Sequence, residues 1–325
     1  DIYPEAILPA FRMLFGFIAT AIITIFRMIF DVTTRNNIKY SVRTHKMDML
    51  KSAFGGIMYY GFPHSLIGVT QKSIPSNTIH IAQSCVPFFA FIFANFMLAD
   101  EKFSLRRFYP QVLALIGTIL TTIPTNHSDY GGKKEPLHYI FLVVSVASFG
   151  FGSVYMKSHL AVCEPTLCGF FQMFGSFVFS ACFGLAWNRP SGFMDSFHKT
   201  TWIRIIYPII LGAVHTCGCT YVYLWTVKRL GAVISSFSNF GQIVIGILIG
   251  VILLNEWDAY VVKDYILSAC GLVTLTAAIV CGFISDRKAM AKDESLTSIL
   301  TEPPESNETK KPEHENADMQ KPLLS

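Results

Sequence analysis

The chain has 325 residues, of which 52% are hydrophobic and only 15% carry a charged side chain. Soluble domains usually contain about a quarter charged residues, so this composition argues against an ordinary soluble protein. The formal net charge of +4 does not indicate a nucleic-acid-binding domain. Its basic residues are spread over short segments between apolar stretches instead of covering one face.

Nine apolar segments follow one another along the chain, and most have the roughly 17–25 residues that a helix needs to cross ~30 Å of hydrocarbon. Without water in the bilayer core, each span has to satisfy its own backbone hydrogen bonds, which favours helices. Strands of a membrane barrel would be shorter and would alternate in polarity. The predicted spans are 6–30, 52–71, 77–98, 107–124, 137–156, 166–187, 203–225, 231–254 and 261–284. We therefore predict an all-α, multi-pass protein of the lipid bilayer.

The orientation follows from the distribution of lysine and arginine between alternating loops. The richer set includes the segment 35–51, with Arg35, Lys39, Arg43, Lys46 and Lys51. Cytosolic loops carry such an excess, so this set is predicted to face the cytosol, and the chain begins outside. The glycosylation sequon Asn126-His127-Ser128 falls in a loop assigned to the outside, in agreement. With the polar tail, it suggests an endomembrane or plasma membrane of a eukaryotic cell.

The end of the chain and the cysteines give two further expectations. Residues 285–325 are polar and rich in Glu, Lys, Pro, Ser and Thr, which predicts a disordered cytosolic tail. The eight cysteines include no CxxC pair, and most lie within apolar spans. They are interpreted as small buried residues, and no metal site is expected.

Two stretches of the chain look like copies of one another. One begins at Ser84 and contains Leu-Ala-Asp-Glu at 98–101; the other begins at Asn239 and contains Leu-Leu-Asn-Glu at 253–256. Aligning Glu101 on Glu256 gives an offset of 155 residues, and a glycine-containing apolar span follows each turn. Because the two turns fall on opposite sides of the membrane, the copies are predicted to be inverted. The alternative is that any two hydrophobic hairpins resemble each other.

This repeated pattern resembles the EamA-type drug/metabolite transporter superfamily, whose relatives include nucleotide-sugar and triose-phosphate transporters. The segment Pro4 to Arg12 is similar to the entry into that family's second helix. The resemblance implies a helical bundle of inverted repeats, five plus five helices, with nine visible here and the first missing from this chain. It implies a first repeat over 1–125, an outer loop over 126–136 and a second repeat over 137–284. Nothing in it identifies the substrate.

Polar side chains inside a membrane span are costly, so they are the candidate functional residues. The visible carboxylates lie at span ends or in loops, which leaves histidine, tyrosine and uncharged polar side chains. The candidate substrate-binding residues are Tyr59, Tyr60, His64, His80, Gln83, His215, Tyr221, Ser235, Ser238, Asn239 and Gln242. Histidine can carry a proton or contact an anion. The alternative is that these side chains only join neighbouring helices by hydrogen bonds.

The combined pattern predicts a secondary transporter that moves a small organic solute by alternating access. No P-loop occurs, and no covalent chemistry, cofactor or nucleic-acid partner is expected. A homodimer is one option for its assembly. Two alternatives stay open: a non-transporting receptor or regulatory subunit with the same fold, and a membrane-embedded enzyme, which would require an intramembrane constellation of acids, histidines or metal ligands.

Overall fold

The computed structural model describes residues 6–74, 76–99, 104–122, 136–160, 164–199, 202–230 and 262–301, with five positions between 235 and 245. The chain divides into two units, Asp1–Asp286 and Arg287–Ser325. The regular elements of the described part are all helical. They are α1 (Ile7–Phe30), α2 (Val32–Thr44), α3 (Lys46–Gly56), π1 (Ile57–Gly61), α4 (Phe62–Thr70), α5 (Ser76–Gln83), α6 (Val86–Met97), α7 (Leu105–Thr122), α8 (Pro136–Leu160), α9 (Pro165–Lys199), α10 (Trp202–Ile209), π2 (Ile210–Cys217), α11 (Gly218–Leu230) and α12 (Val262–Thr301).

Among the residues that the structure describes, six helical stretches are long and apolar enough to cross a membrane, which agrees with the predicted multi-pass membrane protein. They are Ile7–Phe30, Thr78–Met97, Pro136–His159, Pro165–Asn188, Ile205–Val227 and Val262–Ser285. The predicted spans 52–71 and 107–124 are also largely helical. Most of the predicted span 231–254 and of the outer loop 126–136 lies outside the described residues. The last helix continues to Thr301, past the position where the sequence predicts the start of the tail.

The helix α2 lies where the sequence predicts a cytosolic loop. Its start is fixed by Asp31, whose carboxylate accepts hydrogen bonds from the backbone N–H groups of Thr33 and Thr34 at 3.0 and 3.2 Å. Such a cap satisfies donors that the first turn of a helix otherwise leaves without a partner. One side of α2 buries Thr34, Ile38 and Ser41, at the spacing of a single helical face.

Within the described residues, two segments of π-helix interrupt the long helices, and a carbonyl group of each accepts a hydrogen bond from a hydroxyl side chain. Ser148 of α8 donates to the Met58 carbonyl of π1 at 2.6 Å. Thr216 of π2 donates to the Leu211 carbonyl at 2.8 Å. A π-turn disturbs the regular ladder of backbone bonds, so these hydroxyls supply partners inside an apolar bundle.

Several described helices approach one another closely at glycines. A Cβ atom added to Gly56 would overlap the backbone of Gln172 in α9. One added to Gly212 in π2 would overlap the Arg12 carbonyl and lie 2.9 Å from the backbone nitrogen of Gly16. The α3–α9 and α1–π2 crossings therefore depend on the absence of a side chain, as is common for helices packed in a membrane.

Candidate functional site

A polar cluster lies where α1 meets π2, with an arginine at its centre. Arg12 donates from Nε to the Thr216 hydroxyl at 2.8 Å, and its Nη2 lies 3.3 Å from Nδ1 of His215. A guanidinium can only donate, so Nδ1 of His215 accepts and the imidazole in this arrangement is neutral, with its proton assigned to Nε2. Arg12 is half-buried, and His215 is exposed.

Arg12 has no acidic partner within the described part of the chain. The ion pairs found there involve Arg27, His45 and Lys51 instead. The groups around Arg12 are a hydroxyl and an imidazole, with the Tyr60 phenol and the Cys219 thiol close enough to interact electrostatically. A guanidinium stays protonated in proteins, so the cluster carries a positive charge that no described side chain balances.

The second half of the cluster consists of aromatic side chains from π1 and α11. Tyr59 and Tyr60 are buried, with their rings perpendicular at 4.7 Å between centroids. The Tyr59 ring stacks on that of Tyr223 at 4.6 Å and 21°. The Tyr60 hydroxyl lies beside that of Thr220, which donates to the Thr216 carbonyl at 2.6 Å. The tyrosines are thereby linked through Thr220 to Thr216, whose hydroxyl accepts a hydrogen bond from Arg12.

His64 lies one helical turn beyond Tyr60. Its Nδ1 lies 2.8 Å from the Tyr60 carbonyl, and since a carbonyl only accepts, the proton is assigned to that nitrogen. The imidazole packs edge-on against Phe149 of α8, 5.1 Å between ring centroids. His64 and His215 both interact electrostatically with Arg12, so the two histidines border the same charge.

The structure thus brings together four of the predicted site residues: Tyr59, Tyr60, His64 and His215. Tyr221 lies beside Thr24, toward the Arg27 end of α1. His80 and Gln83 form a side-chain hydrogen bond with each other on α5, which packs on α7 and α8.

The remaining predicted site residues lie in the segment after α11. Ser235 is buried, but its segment is described at single positions only. Ser238, Asn239 and Gln242 lie outside the described residues.

Arg12, Thr216 and Thr220 belong to the cluster but are not among the residues predicted from the sequence. Threonine hydroxyls in membrane helices are common and give no distinct signal. Arg12 does give a signal in the sequence, because a cation inside the apolar span 6–30 is as costly as a carboxylate there. Intramembrane cations have to be weighed together with acids and histidines.

The far end of α1 carries a second, differently balanced arginine. Arg27 donates from Nη1 to the Thr166 hydroxyl at 2.6 Å and lies 3.9 Å from the Glu164 carboxylate and 3.7 Å from that of Asp31. Glu164 also accepts the Leu167 N–H at 2.9 Å and so caps α9. Hydrogen bonds from the hydroxyl and N–H of Thr34 lower the pKa of Asp31. The charge of Arg27 is therefore compensated, in contrast to that of Arg12.

Comparison with known proteins provides fold information only. Neither a protein-family model nor a curated protein matches the chain. A crystal structure of another protein is similar with a TM-score of 0.62 over 87% of this chain and 89% of that chain, at 14% sequence identity. At this level of identity the likeness shows a shared fold and nothing about activity. The fold and the six apolar spans define a polytopic α-helical membrane protein.

Proposed function

We propose that this protein is a secondary transporter that moves a small organic anion across a membrane by alternating access, with Arg12 as the anion-binding group. The observation that carries the proposal is the half-buried Arg12, which is held by Thr216 and a neutral His215 and has no described acidic partner. An uncompensated charge inside an apolar bundle is expensive. A carboxylate or phosphate of the solute would supply the missing negative charge, and its apolar or planar part would contact Tyr60 and His64.

The positions of the π-segments support an inverted repeat. The sequence repeat has an offset of 155 residues, measured between its two glutamate-containing turns. The same offset moves π1, residues 57–61, to positions 212–216, which lie inside π2, residues 210–217. The turns and the π-segments are separate features of the chain, so their common offset supports one repeat. In this scheme the candidate site lies between equivalent helices of the two halves, as in many carriers.

The glycine crossings support the same scheme. Shifted by 155, Gly16 and Gly56 move to positions 171 and 211. These positions are each one residue from Gln172 and Gly212, the partners in the two crossings. Each crossing joins the two proposed halves, and the offset relates the α1–π2 crossing to the α3–α9 crossing. A pseudo-two-fold axis between the halves would exchange the two crossings in this way.

Alternating access also requires contacts that can form and break at the ends of the halves. The Arg27 network joins α1 of the first half to the beginning of α9 in the second. At the opposite side of the site, His215 is exposed. This asymmetry fits a state that is closed at the Arg27 end and accessible near His215, and π-turns are frequent at such functional sites.

The test uses the full chain in proteoliposomes with counterflow of labelled solutes. The panel contains nucleotide sugars, sugar phosphates, neutral and acidic amino acids, and cationic amphiphiles. Uptake is expected for an anionic class. Arg12→Gln should lower it about 10- to 100-fold, since a hydrogen bond to a charged group contributes about 1.5–3 kcal/mol. Arg12→Lys should retain part of the activity because it keeps the charge but not the planar fork.

The control is Arg43→Gln, which removes the same charge from an exposed position of α2. It should leave uptake unchanged. Uptake of a cationic class, or anion uptake unaffected in Arg12→Gln, would contradict the proposal. Anion binding detected by thermal stabilisation, with no flux in folded protein, would instead favour the receptor alternative.

A further inference from the structure

The end of α1 and the helix α2 form an open groove of about 380 Å³ on the surface of the bundle. Ile25, Met28 and Ile29 of α1 line one side, and Arg35 and Lys39 of α2 line the other. The surface of the groove is mostly apolar, and the cationic wall of Arg35 and Lys39 adds two positive charges to it. This combination is unlike the Arg12 cluster, which is aromatic and lies at the opposite end of α1.

The apolar wall belongs to a longer exposed stripe along α1. Ile18, Ile22, Ile25 and Ile29 follow one another at helical spacing and are 42–62% exposed. An isoleucine stripe of this length on a membrane-spanning helix is suited to contact with lipid chains. The groove thus opens directly onto a surface suited to hydrocarbon.

The cationic wall is held in place by backbone contacts. Arg35 donates from Nε and Nη2 to the carbonyls of Met28 and Ile29, both at 2.6 Å. These bonds fix the guanidinium at the end of α1, with Nη1 left for another acceptor. Lys39 follows one turn later and is exposed. The carboxylate nearest in sequence, Asp31, is occupied by the Thr33 and Thr34 N–H groups, the Thr34 hydroxyl and Arg27.

We propose that this groove is a binding site for an anionic phospholipid. The headgroup phosphate would contact Arg35 and Lys39, and an acyl chain would follow Ile25 and Ile29 along α1. A zwitterionic lipid would bring its own cation toward two fixed cations and bind less well. The lysine and arginine distribution assigns α2 to the cytosolic side, where anionic lipids are concentrated. The proposal is independent of transport and would hold equally for a receptor.

The experiment is native mass spectrometry of the full chain in non-ionic detergent. Phosphatidylglycerol and phosphatidylcholine of equal chain length are offered together at equal concentration. Retention of phosphatidylglycerol is expected to exceed that of phosphatidylcholine. Lys39→Gln should lower the preference about fivefold, the effect of one cation near an anionic headgroup. The matched control Arg43→Gln loses the same charge on the same helix but outside the groove, and should change the preference less than twofold.

A second pair of variants tests the apolar wall without changing charge. Ile29→Trp fills the groove and should reduce phosphatidylglycerol binding, whereas Ile22→Trp, exposed on the same stripe but outside the groove, should not. Equal losses in Lys39→Gln and Arg43→Gln, or no difference between the two tryptophan variants, would overturn a defined site. Displacement of the lipid by millimolar inorganic phosphate would show a free-phosphate site and overturn the lipid assignment.

Discussion

Substitution of Gly56 by alanine should destabilise the bundle. A Cβ atom there would overlap Cα and the carbonyl group of Gln172, and backbone atoms cannot turn aside as a flexible side chain can. The helices α3 and α9 would have to separate, and overpacking of this kind lowers the free energy of unfolding by about 1–3 kcal/mol. Separation would also weaken the 2.8 Å hydrogen bond from Ser176 to the Gly56 carbonyl, at about 0.6 kcal/mol. The higher helix propensity of alanine offsets up to about 1 kcal/mol of this cost. The free energy of unfolding should therefore fall by about 1–3 kcal/mol.

The assay is thermal unfolding in detergent, followed with a thiol-reactive dye that reports exposure of the buried Cys168 and Cys217 after the exposed Cys182, Cys219 and Cys270 have been alkylated. On the scale of soluble proteins, 1 kcal/mol corresponds to roughly 2–4 °C, so Gly56→Ala should lower Tm by at least about 2 °C. The matched control is Gly218→Ala, the same chemical change at a helical glycine where, apart from its chain neighbours and its own helix backbone, no atom lies within 4 Å of the added carbon. Its Tm should stay constant or rise. If Gly56→Ala were as stable as Gly218→Ala, the close crossing would be refuted.

Two further predictions concern side chains that satisfy helix ends and π-turns. Ser148→Ala removes the hydroxyl that bonds the Met58 carbonyl and should lower the free energy of unfolding by about 0.6–1.7 kcal/mol in the same assay, while Ser158→Ala at an exposed position should not. For Asp31, whose pKa is lowered by its bonds to Thr34, the capping contribution is complete above the unfolded pKa and is lost as pH falls through the lower folded value. Protection factors of the α2 amides, which are corrected for the intrinsic pH dependence of exchange, should therefore fall at acid pH, and Asp31→Asn should abolish this fall.

The spans could be predicted from sequence because the bilayer imposes one length and one polarity on each of them. The helix α2 lacks that signal: it has no apolar run, and only its Asp31 cap, followed by two threonines, marks its start. That pattern is a recognised beginning of a helix, but it is short and easily assigned to a loop. The π-segments have no comparable signal, because their residues are ordinary for a membrane helix.

The candidate site could be predicted in part. Tyr59, Tyr60 and His64 are close in sequence, so one helix brings them together whatever the tertiary fold. Their approach to His215, about 150 residues later, depends on the packing of α1, π1 and π2 and cannot be derived from spacing. Arg12 was identifiable by its charge alone, but its partner Thr216 was not, because many threonines occur in the spans.

The glycine crossings have a consequence for the synthesis of the protein. Gly56 in the first half packs on Gln172 in the second, and Gly16 packs on Gly212. At about 5–20 residues per second, the ribosome needs on the order of 10 s to make the chain between such partners. During this interval the first half is in the membrane, and the glycine faces of α1 and α3 do not yet have the helices that pack on them. The nascent chain therefore passes through a stage in which lipid, an insertion factor or a chaperone has to cover the surface that the second half later contacts.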